Sequence, residues 1–276
     1  MVFLIDLISD FLHYDFIRRA LIVGLLVTLS ASLLGVSLVL KRFSMIGDGL
    51  SHVGFGAVSI AAAINIAPLQ FSIPVIIIAA FFLLKLSKNS KINGDAAIAL
   101  IASSSLAIGV FINSLSTNIK SDLNSYMFGN ILAISKDDVV ISIILSFMVI
   151  TLFIFFYNKV FLVTFDESFA KATGISSDFY NMLIAFLTAI TVVIGMRLMG
   201  ALLMSSLLIF PALTSMHICK SFKSVVVSSA IISSVCFISG LAVSYQLNTP
   251  TGSTIVIINL ILFTASYFLG KIKRTC

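Results

Sequence analysis

The hydrophobic pattern of the chain consists of apolar runs, each about twenty residues long and thus able to cross a bilayer as one α-helix. They recur along the whole sequence, separated by short polar stretches. Nine runs predict nine membrane-spanning helices, at residues 17–40, 46–66, 71–86, 95–115, 139–160, 179–196, 199–218, 224–245 and 254–270. The predicted fold is an all-α polytopic membrane protein with a single transmembrane domain over residues 1–276.

Two stretches outside these runs affect the predicted topology. The first sixteen residues place Asp6, Asp10 and His13 on one helical face, which predicts a short interfacial helix over residues 1–16. We expect the face with these three side chains to be solvated, and a face that captures metal is the alternative. The region 117–137 is too polar to span and predicts a loop with a re-entrant turn or a short helix. Eight spans with a re-entrant segment are therefore the alternative to nine.

Composition and charge support the membrane assignment and give an orientation. Hydrophobic residues make up 59% of the chain and charged residues 10%, with a mean hydropathy of +1.17. Soluble domains have about a quarter of their residues charged, so this class is excluded. The net charge of +6 is not a nucleic-acid signal here, because Lys and Arg mark the cytoplasmic side of membrane proteins.

Counting basic residues under nine spans places the C-terminus in the cytoplasm and the N-terminus outside. The predicted cytoplasmic set is Lys41, Arg42, Lys85, Lys88, Lys91, Lys159, Lys171, Lys220, Lys223, Lys271, Lys273 and Arg274. The opposite side holds Arg18, Arg19, Lys120, Lys136 and Arg197. Arg18 and Arg19 oppose the placement of the N-terminus outside the cytoplasm.

The stretch "SMIGDGLSHVGFG" carries the candidate chemistry, because Asp48 precedes His52 by four residues on the second predicted span. This spacing places a carboxylate and an imidazole on one helical face, a ligand pair suited to Zn²⁺ or Mn²⁺. Two ligands are too few for tight binding, but a symmetric dimer with this helix near its axis would supply four. The alternative is that Asp48 caps the helix and His52 bonds a neighbouring helix.

The same helix has one polar or small stripe and one apolar stripe. The polar stripe continues through Gly56, and we expect it to pack inward against other helices or a pore. Its members are Ser44, Asp48, His52, Gly56 and Ser59. The apolar stripe consists of Ile46, Leu50, Val53, Ala57, Ile60 and Ile64.

The segment 161–178 contains a short amphipathic helix pattern, "FDESFAKATGIS", that Gly174 would end as a C-cap does. Its apolar positions are Phe165, Phe169 and Ala172, and its polar positions are Asp166, Glu167 and Lys171. On the cytoplasmic side it predicts a docking helix for a partner protein. A helix lying on the membrane surface is the alternative.

The seventh predicted span, 199–218, also carries positions with a structural meaning. "MRLMGALLMSSLLIFPALTS" places Gly200 and Ser205 where small residues allow close helix contact, and Pro211 where it would kink the span. His217 is expected at the cytoplasmic end of its span rather than as a ligand. The sequence contains no GxxxxGK[ST] loop for nucleotide phosphates, so another chain must supply the energy.

Five short stretches of the sequence together resemble the permease subunits of the zinc, manganese and iron ABC importers, the ABC-3 family. They occur in the family's order and extend over nearly the whole chain. The pieces are "LKRFSMIGDGLSHVGFG" (40–56), "YMFGNIL" (126–132), "FDESFAKATGIS" (165–176), "GALLMSSLLIFPALTS" (200–215) and "TPTGSTIVI" (249–257).

The resemblance implies a multi-pass transport subunit of the bacterial plasma (inner) membrane that is not itself an enzyme. It implies a homodimer with a second permease copy, a cytoplasmic ABC ATPase that hydrolyses ATP, an extracytoplasmic metal-binding protein and no nucleic acid. The divalent metal ion would be cargo, with no permanently bound cofactor, and Asp48 and His52 would lie on its path. Contact with the ATPase would come from the coupling segment 161–178, through Asp166, Glu167, Phe169, Ala170, Ala172 and Gly174.

Two rival functions remain at this point. A secondary transporter coupled to an ion gradient would need no ATPase, but it would be expected to have more acidic residues within its spans. A structural subunit of a larger membrane complex is the second rival. The Asp–His pair accepts Zn²⁺, Mn²⁺ and Fe²⁺, so the sequence does not choose among them.

Overall fold

The computed structural model describes residues 15–89, 94–115, 129 and 136–275. In this part of the chain the regular structure is entirely helical. The helices are α1 (Asp15–Leu40), α2 (Ile46–Ala63), α3 (Pro68–Asn89), α4 (Gly94–Leu115), α5 (Lys136–Phe155), α6 (Tyr157–Phe165), α7 (Glu167–Ala172), α8 (Ser177–Met199), α9 (Ala201–Ile218), α10 (Phe222–Leu247) and α11 (Thr251–Thr275).

Eight helices among the described residues are long and apolar enough to cross a membrane, which confirms the predicted all-α polytopic class. These eight are α1, α3, α4, α5, α8, α9, α10 and α11. The second predicted span forms α2, a helix of 18 residues that includes Asp48, His52 and several glycines and serines and is not among these eight. Most of its residues are buried within the protein, whereas the side chains of Asp48 and His52 remain partly exposed.

The helix boundaries differ from the sequence prediction at two places. The third span is not short, because α3 runs from Pro68 to Asn89 and contains Pro74. Pro68 begins the helix, a position that suits proline because a backbone N–H there would have no partner within the helix. The fifth predicted span, 139–160, is divided at Phe156, whose φ of −94° and ψ of 10° separate α5 from α6. Helix α6 therefore occupies part of the stretch predicted as a connecting segment.

The protein is organised around α1 and α8, the most buried of the eight apolar helices. Large side chains that are almost fully buried fill the interior between them, among them Leu34, Phe153, Met199, Leu203 and Phe237. In helices α3, α4, α5 and α11, only about a quarter of the residues of the most apolar stretch are buried within the chain. Their exposed apolar faces are typical of surfaces that face lipid or a second subunit.

Two predicted features lie outside the described residues. These are the interfacial helix over residues 1–16, of which only the start of α1 is described, and the broken region 117–137 apart from Gly129 and the start of α5. Gly129 has a φ of +77°, and a Cβ there would collide with the backbone of Met199. The "YMFGNIL" motif thus touches the turn that joins α8 to α9 through this glycine.

Candidate functional site

Helix α2 carries the candidate metal ligands through the interior of the protein. It packs against α3, α4, α8 and α9. Ile46, Leu50, Val53 and Ala57, on the stripe predicted to be apolar, are each less than a tenth exposed. Gly56 and Ser59 of the polar stripe are buried as well, as expected for a stripe that packs inward. Both faces of α2 therefore pack against other parts of the protein.

Asp48, His52 and Ser205 form one polar cluster. The hydroxyl of Ser205, on α9, donates a hydrogen bond of 3.0 Å to Oδ1 of Asp48, with the Ala201 carbonyl oxygen at 3.1 Å as an alternative acceptor. Nε2 of His52 lies 3.6 Å from Oδ2 of Asp48, which is longer than a hydrogen bond. The side chains of Asp48 and His52 are 40% and 21% exposed, so both remain accessible to a small ion.

The accessible atoms of this cluster face a cavity of about 480 Å³ between α2 and α4. Its wall on the α2 side consists of Met45, Asp48 and His52. The α4 side is apolar apart from one hydroxyl and consists of Ile98, Ala99, Ala102, Ser103 and Leu106. None of these α4 residues is among the site residues predicted from the sequence, because small and apolar residues on a membrane helix carry no chemical signal of their own.

The structure separates Asp48 from the alternative role of a helix cap. The N-cap of α2 is Met45, which makes no side-chain capping hydrogen bond. Asp48 is the third residue of the helix, where its carboxylate is favoured by the helix dipole but accepts from Ser205 instead. Among the residues that the structure describes, no group of three or more His, Cys, Asp and Glu could hold a metal ion.

Small residues bring α4 against the polar side of α2. A Cβ on Gly56 would lie 2.7 Å from the carbonyl oxygen of Ser105, and one on Gly49 would lie 2.6 Å from the side chain of Ile98. Distances this short would force the helices apart. Ser59 is buried and donates to the Phe55 carbonyl oxygen of its own helix at 3.0 Å. Gly56 and Ser59 of the predicted polar stripe thus serve helix packing, whereas Asp48 and His52 face the cavity.

The positions singled out between 196 and 215 have three different placements. Gly200 was expected within a span. It instead forms the whole connection between α8 and α9, with a φ of +88°. Only glycine adopts this backbone conformation without strain. Pro211 lies inside α9, as predicted, and is buried. Ser205 faces α2 and bonds Asp48, so the span predicted for packing also contributes a polar group to the site.

The coupling segment contains the predicted short helix, α7. Oδ1 of Asp166 accepts hydrogen bonds of 2.9 Å from the N–H groups of Ser168 and Phe169, which makes Asp166 its N-cap. Gly174 has a φ of +81° and donates its N–H to the Lys171 carbonyl oxygen at 3.1 Å. The predicted C-terminal stop at Gly174 is therefore present in the structure.

Helix α7 has one buried residue and an exposed apolar side. Ala170 is fully buried against Val163 and Tyr180, and it holds α7 onto α6 and α8. Phe165 and Phe169, predicted as apolar positions of a docking helix, are 59% and 55% exposed. Ala172 is exposed as well. Helix α7 therefore presents Phe169 outward, beside Phe165 at the end of α6, and is anchored by one small residue.

Glu167 is tied into the permease rather than free on the segment. Its Oε1 accepts from Nζ of Lys41 at 2.7 Å and from Nδ2 of Asn181 at 2.9 Å. Lys41 enters the sequence prediction only as a marker of orientation, and Asn181 is not a predicted site residue. The ion pair places the turn after α1 and the coupling segment at the same end of the protein, in agreement with the charge count.

His217 occupies the end-of-helix position expected for it. It is exposed in the last turn of α9, and its ring lies 5.5 Å from that of Phe263 and 5.7 Å from that of Tyr267, measured between centroids. His217 is not among the residues that line the cavity beside Asp48.

A family model described as the ABC 3 transport family matches residues 13–270. The manganese import system permease protein ScaB of Streptococcus gordonii is 29% identical over 98% of this chain and 96% of its own length. The high-affinity zinc uptake system membrane protein ZnuB of Haemophilus influenzae is 30% identical over 92% and 98%. The solved structure of PsaBC from Streptococcus pneumoniae in complex with Fab has a TM-score of 0.85 at 28% identity, covering 96% and 95%.

Proposed function

Because the chain belongs to the ABC 3 transport family, we propose that it is the membrane permease of an ATP-driven importer that carries a divalent transition-metal ion into the cytoplasm. The protein is a transport subunit of an ABC transporter and a multi-pass protein of the bacterial plasma membrane. Relatives named for manganese, zinc and iron transport support a metal ion as the cargo.

The observation that carries this proposal is the pairing of Asp48 and His52 at an accessible cavity inside an otherwise apolar protein. Ligands that sit about 2.1 Å from one ion at tetrahedral angles are about 3.4 Å apart, close to the 3.6 Å observed between Nε2 and Oδ2. The two side chains could therefore hold a common ion with little movement. Ser205 fixes the other carboxylate oxygen, as outer hydrogen bonds do at metal sites.

A second copy of the permease would complete the site. One chain offers one carboxylate and one imidazole, whereas a structural four-coordinate site needs four ligands. Helix α4 lines the cavity and leaves Ala99 and Ser103 exposed, so the site borders a surface that the chain itself does not cover. A symmetric dimer across this surface would bring two Asp48 and two His52 side chains together in an aqueous pathway.

Two further partners belong to the proposal. A cytoplasmic ABC ATPase would bind the coupling segment, where Phe165 and Phe169 are exposed beside the capped helix α7. An extracytoplasmic metal-binding protein would deliver the ion at the opposite end. ATP binding would then move α7 and open the pathway outward, and hydrolysis would reset it.

The test is metal uptake by proteoliposomes that contain the permease, its ATPase and its binding protein, with Mn²⁺, Zn²⁺ and Fe²⁺ supplied separately. We expect ATP-dependent uptake of at least one ion, and uptake at background level for Asp48→Ala and for His52→Ala. The matched control is His217→Ala, which removes an exposed imidazole far from the cavity and should transport normally.

Uptake that proceeds without the ATPase under an imposed proton or sodium gradient would favour the secondary transporter instead. Family membership speaks against that alternative. Normal uptake by both cavity variants at wild-type expression would remove the ligand role of Asp48 and His52 while leaving the permease function in place.

A further inference from the structure

A buried lysine joins three separate elements at the end of the protein predicted to be cytoplasmic. The side chain of Lys41, in the turn after α1, is 7% exposed. Its Nζ donates to Oε1 of Glu167 at 2.7 Å and also to Oδ1 of Asn181. Nδ2 of Asn181 donates to the same glutamate oxygen at 2.9 Å. The α1–α2 turn, α7 and α8 thus meet at one carboxylate, and we name these three residues the inner clamp.

Burial of this lysine is energetically costly unless its partners hold it. Lysine is among the residues least often buried, and its desolvation is offset only by well-placed opposite charge and hydrogen bonds. An apolar side chain of similar length could fill the same space without that cost. What the ion pair adds is direction, because Nζ must stay near both Glu167 and Asn181. The inner clamp therefore fixes the α1–α2 turn relative to α7.

The turn that follows Lys41 has little freedom. The N–H of Arg42 donates to the Val39 carbonyl oxygen at 3.1 Å, and that of Phe43 donates to the Leu38 carbonyl oxygen at 2.9 Å. These two bonds close the end of α1 and hold Arg42 in the left-handed region, at a φ of +61°. The N–H of Ile46 then donates to the Phe43 carbonyl oxygen at 3.1 Å as α2 begins.

The inner clamp adjoins buried residues at the start of α2. Leu38 and Ile46 are 3% and 2% exposed, and the small cavity that they line with Lys41 and Asn181 holds about 10 Å³, room for about one water molecule. Close-packed interiors shift between discrete arrangements and transmit displacement rather than absorb it. A displacement of Lys41 would therefore move the first turn of α2.

We propose that Lys41 is a positioning residue through which α7 controls the first turn of α2, and with it the carboxylate of Asp48. This inference rests on the proposed function, in which the ATPase moves α7. Glu167, the first residue of α7, carries that motion to Lys41, and the closed turn carries it on to Asp48 seven positions later. The inner clamp thus links ATP-driven motion to the metal ligands within a single chain.

The test counts metal ions imported per ATP hydrolysed in proteoliposomes that contain the complete transporter. We expect Lys41→Met to co-purify with the ATPase and to hydrolyse ATP, but to import about five- to tenfold fewer ions per ATP. The control is Lys85→Met, which removes an exposed lysine near the end of α3 and should leave the ratio unchanged.

A merely structural role would give a different pattern. It would lower the amount of assembled transporter and leave the number of ions per ATP unchanged in what remains, and that result would overturn the proposal. The paired reversal Lys41→Glu with Glu167→Lys retains a salt bridge, and Asn181 can serve either partner. We expect it to recover at least half of the lost ratio, whereas no recovery would contradict an ion-pair link.

A second measurement does not depend on transport. Hydrogen–deuterium exchange of the solubilised full chain follows the amides of residues 43–52, and we expect Lys41→Met to accelerate their exchange about tenfold relative to Lys85→Met. Unchanged exchange would overturn the link between Lys41 and α2. Absence of metal uptake by the wild type, in contrast, would refute the proposed function and leave the exchange result to stand by itself.

Discussion

The hydroxyl of Ser205 on α9 donates a 3.0 Å hydrogen bond to Oδ1 of Asp48 on α2, although 157 positions separate them in sequence. This bond orients the carboxylate so that its other oxygen faces His52 and the cavity. Hydroxyls in membrane helices commonly bond their own backbone, and the Ala201 carbonyl oxygen lies 3.1 Å from this hydroxyl. The carboxylate of Asp48 is the acceptor on another helix, and a bond to a charged acceptor is the stronger of the two.

Removing this hydroxyl should weaken transport without unfolding the protein. We expect Ser205→Ala to raise the metal concentration for half-maximal uptake about tenfold to a hundredfold, the usual cost of losing an outer partner of a metal ligand. The control is Ser206→Ala, because Ser206 donates only to the Leu203 carbonyl oxygen of its own helix at 2.8 Å. Equal half-maximal concentrations for the two variants would contradict the role of Ser205.

The close approach of α2 and α4 depends on Gly56. A methyl group there would stand 2.7 Å from the carbonyl oxygen of Ser105, which belongs to backbone and cannot rotate away. We expect Gly56→Ala to lower the free energy of unfolding by about 1–3 kcal/mol, the cost of overpacking. Thermal unfolding of the purified chain, compared with Ser103→Ala on the exposed face of α4, measures this effect. An unchanged midpoint would mean that the helices separate at no cost.

The N-cap of α7 should be needed for an ordered coupling segment. Asp166→Ala removes the acceptor for two backbone N–H groups and should cost about 0.5–2 kcal/mol of local stability. Faster hydrogen exchange across residues 167–172 is the expected result. Asp166→Asn retains a side-chain oxygen and is the matched control. Exchange that is equally fast in both variants would indicate that the carboxylate charge matters more than the cap.

The exposed ring of Phe169 should contribute to binding of the ATPase. Its side chain is 55% exposed, whereas neighbouring Ala170 is fully buried within the permease. We expect Phe169→Ala to weaken ATPase binding about tenfold, as loss of a buried aromatic anchor does at interfaces, and to leave the stability of the isolated chain unchanged. Titration of the ATPase onto nanodisc-embedded permease measures the affinity. Phe268→Ala, on the apolar surface of α11, serves as control.

The sequence by itself determined the class of the protein, because nine apolar runs of helical length leave few other structures in a bilayer. It also placed Asp48 and His52 on one face, since four residues make about one helical turn. The stop after α7, with Gly174 two residues beyond its last residue, followed from the same local rules, as glycine alone adopts the required backbone conformation freely.

Only the tertiary structure decided which groups meet from distant parts of the chain. Ser205 meets Asp48, and Lys41 meets Glu167, because helix packing sets their distances, and no local pattern of hydrophobicity encodes those pairings. Packing likewise decided that Ala170, rather than Phe169, faces inward, since Ala170 is the residue of α7 that contacts Val163 of α6 and Tyr180 of α8. Sequence periodicity fixes the faces of each helix, whereas contacts between helices depend on shapes that form only when the whole bundle assembles.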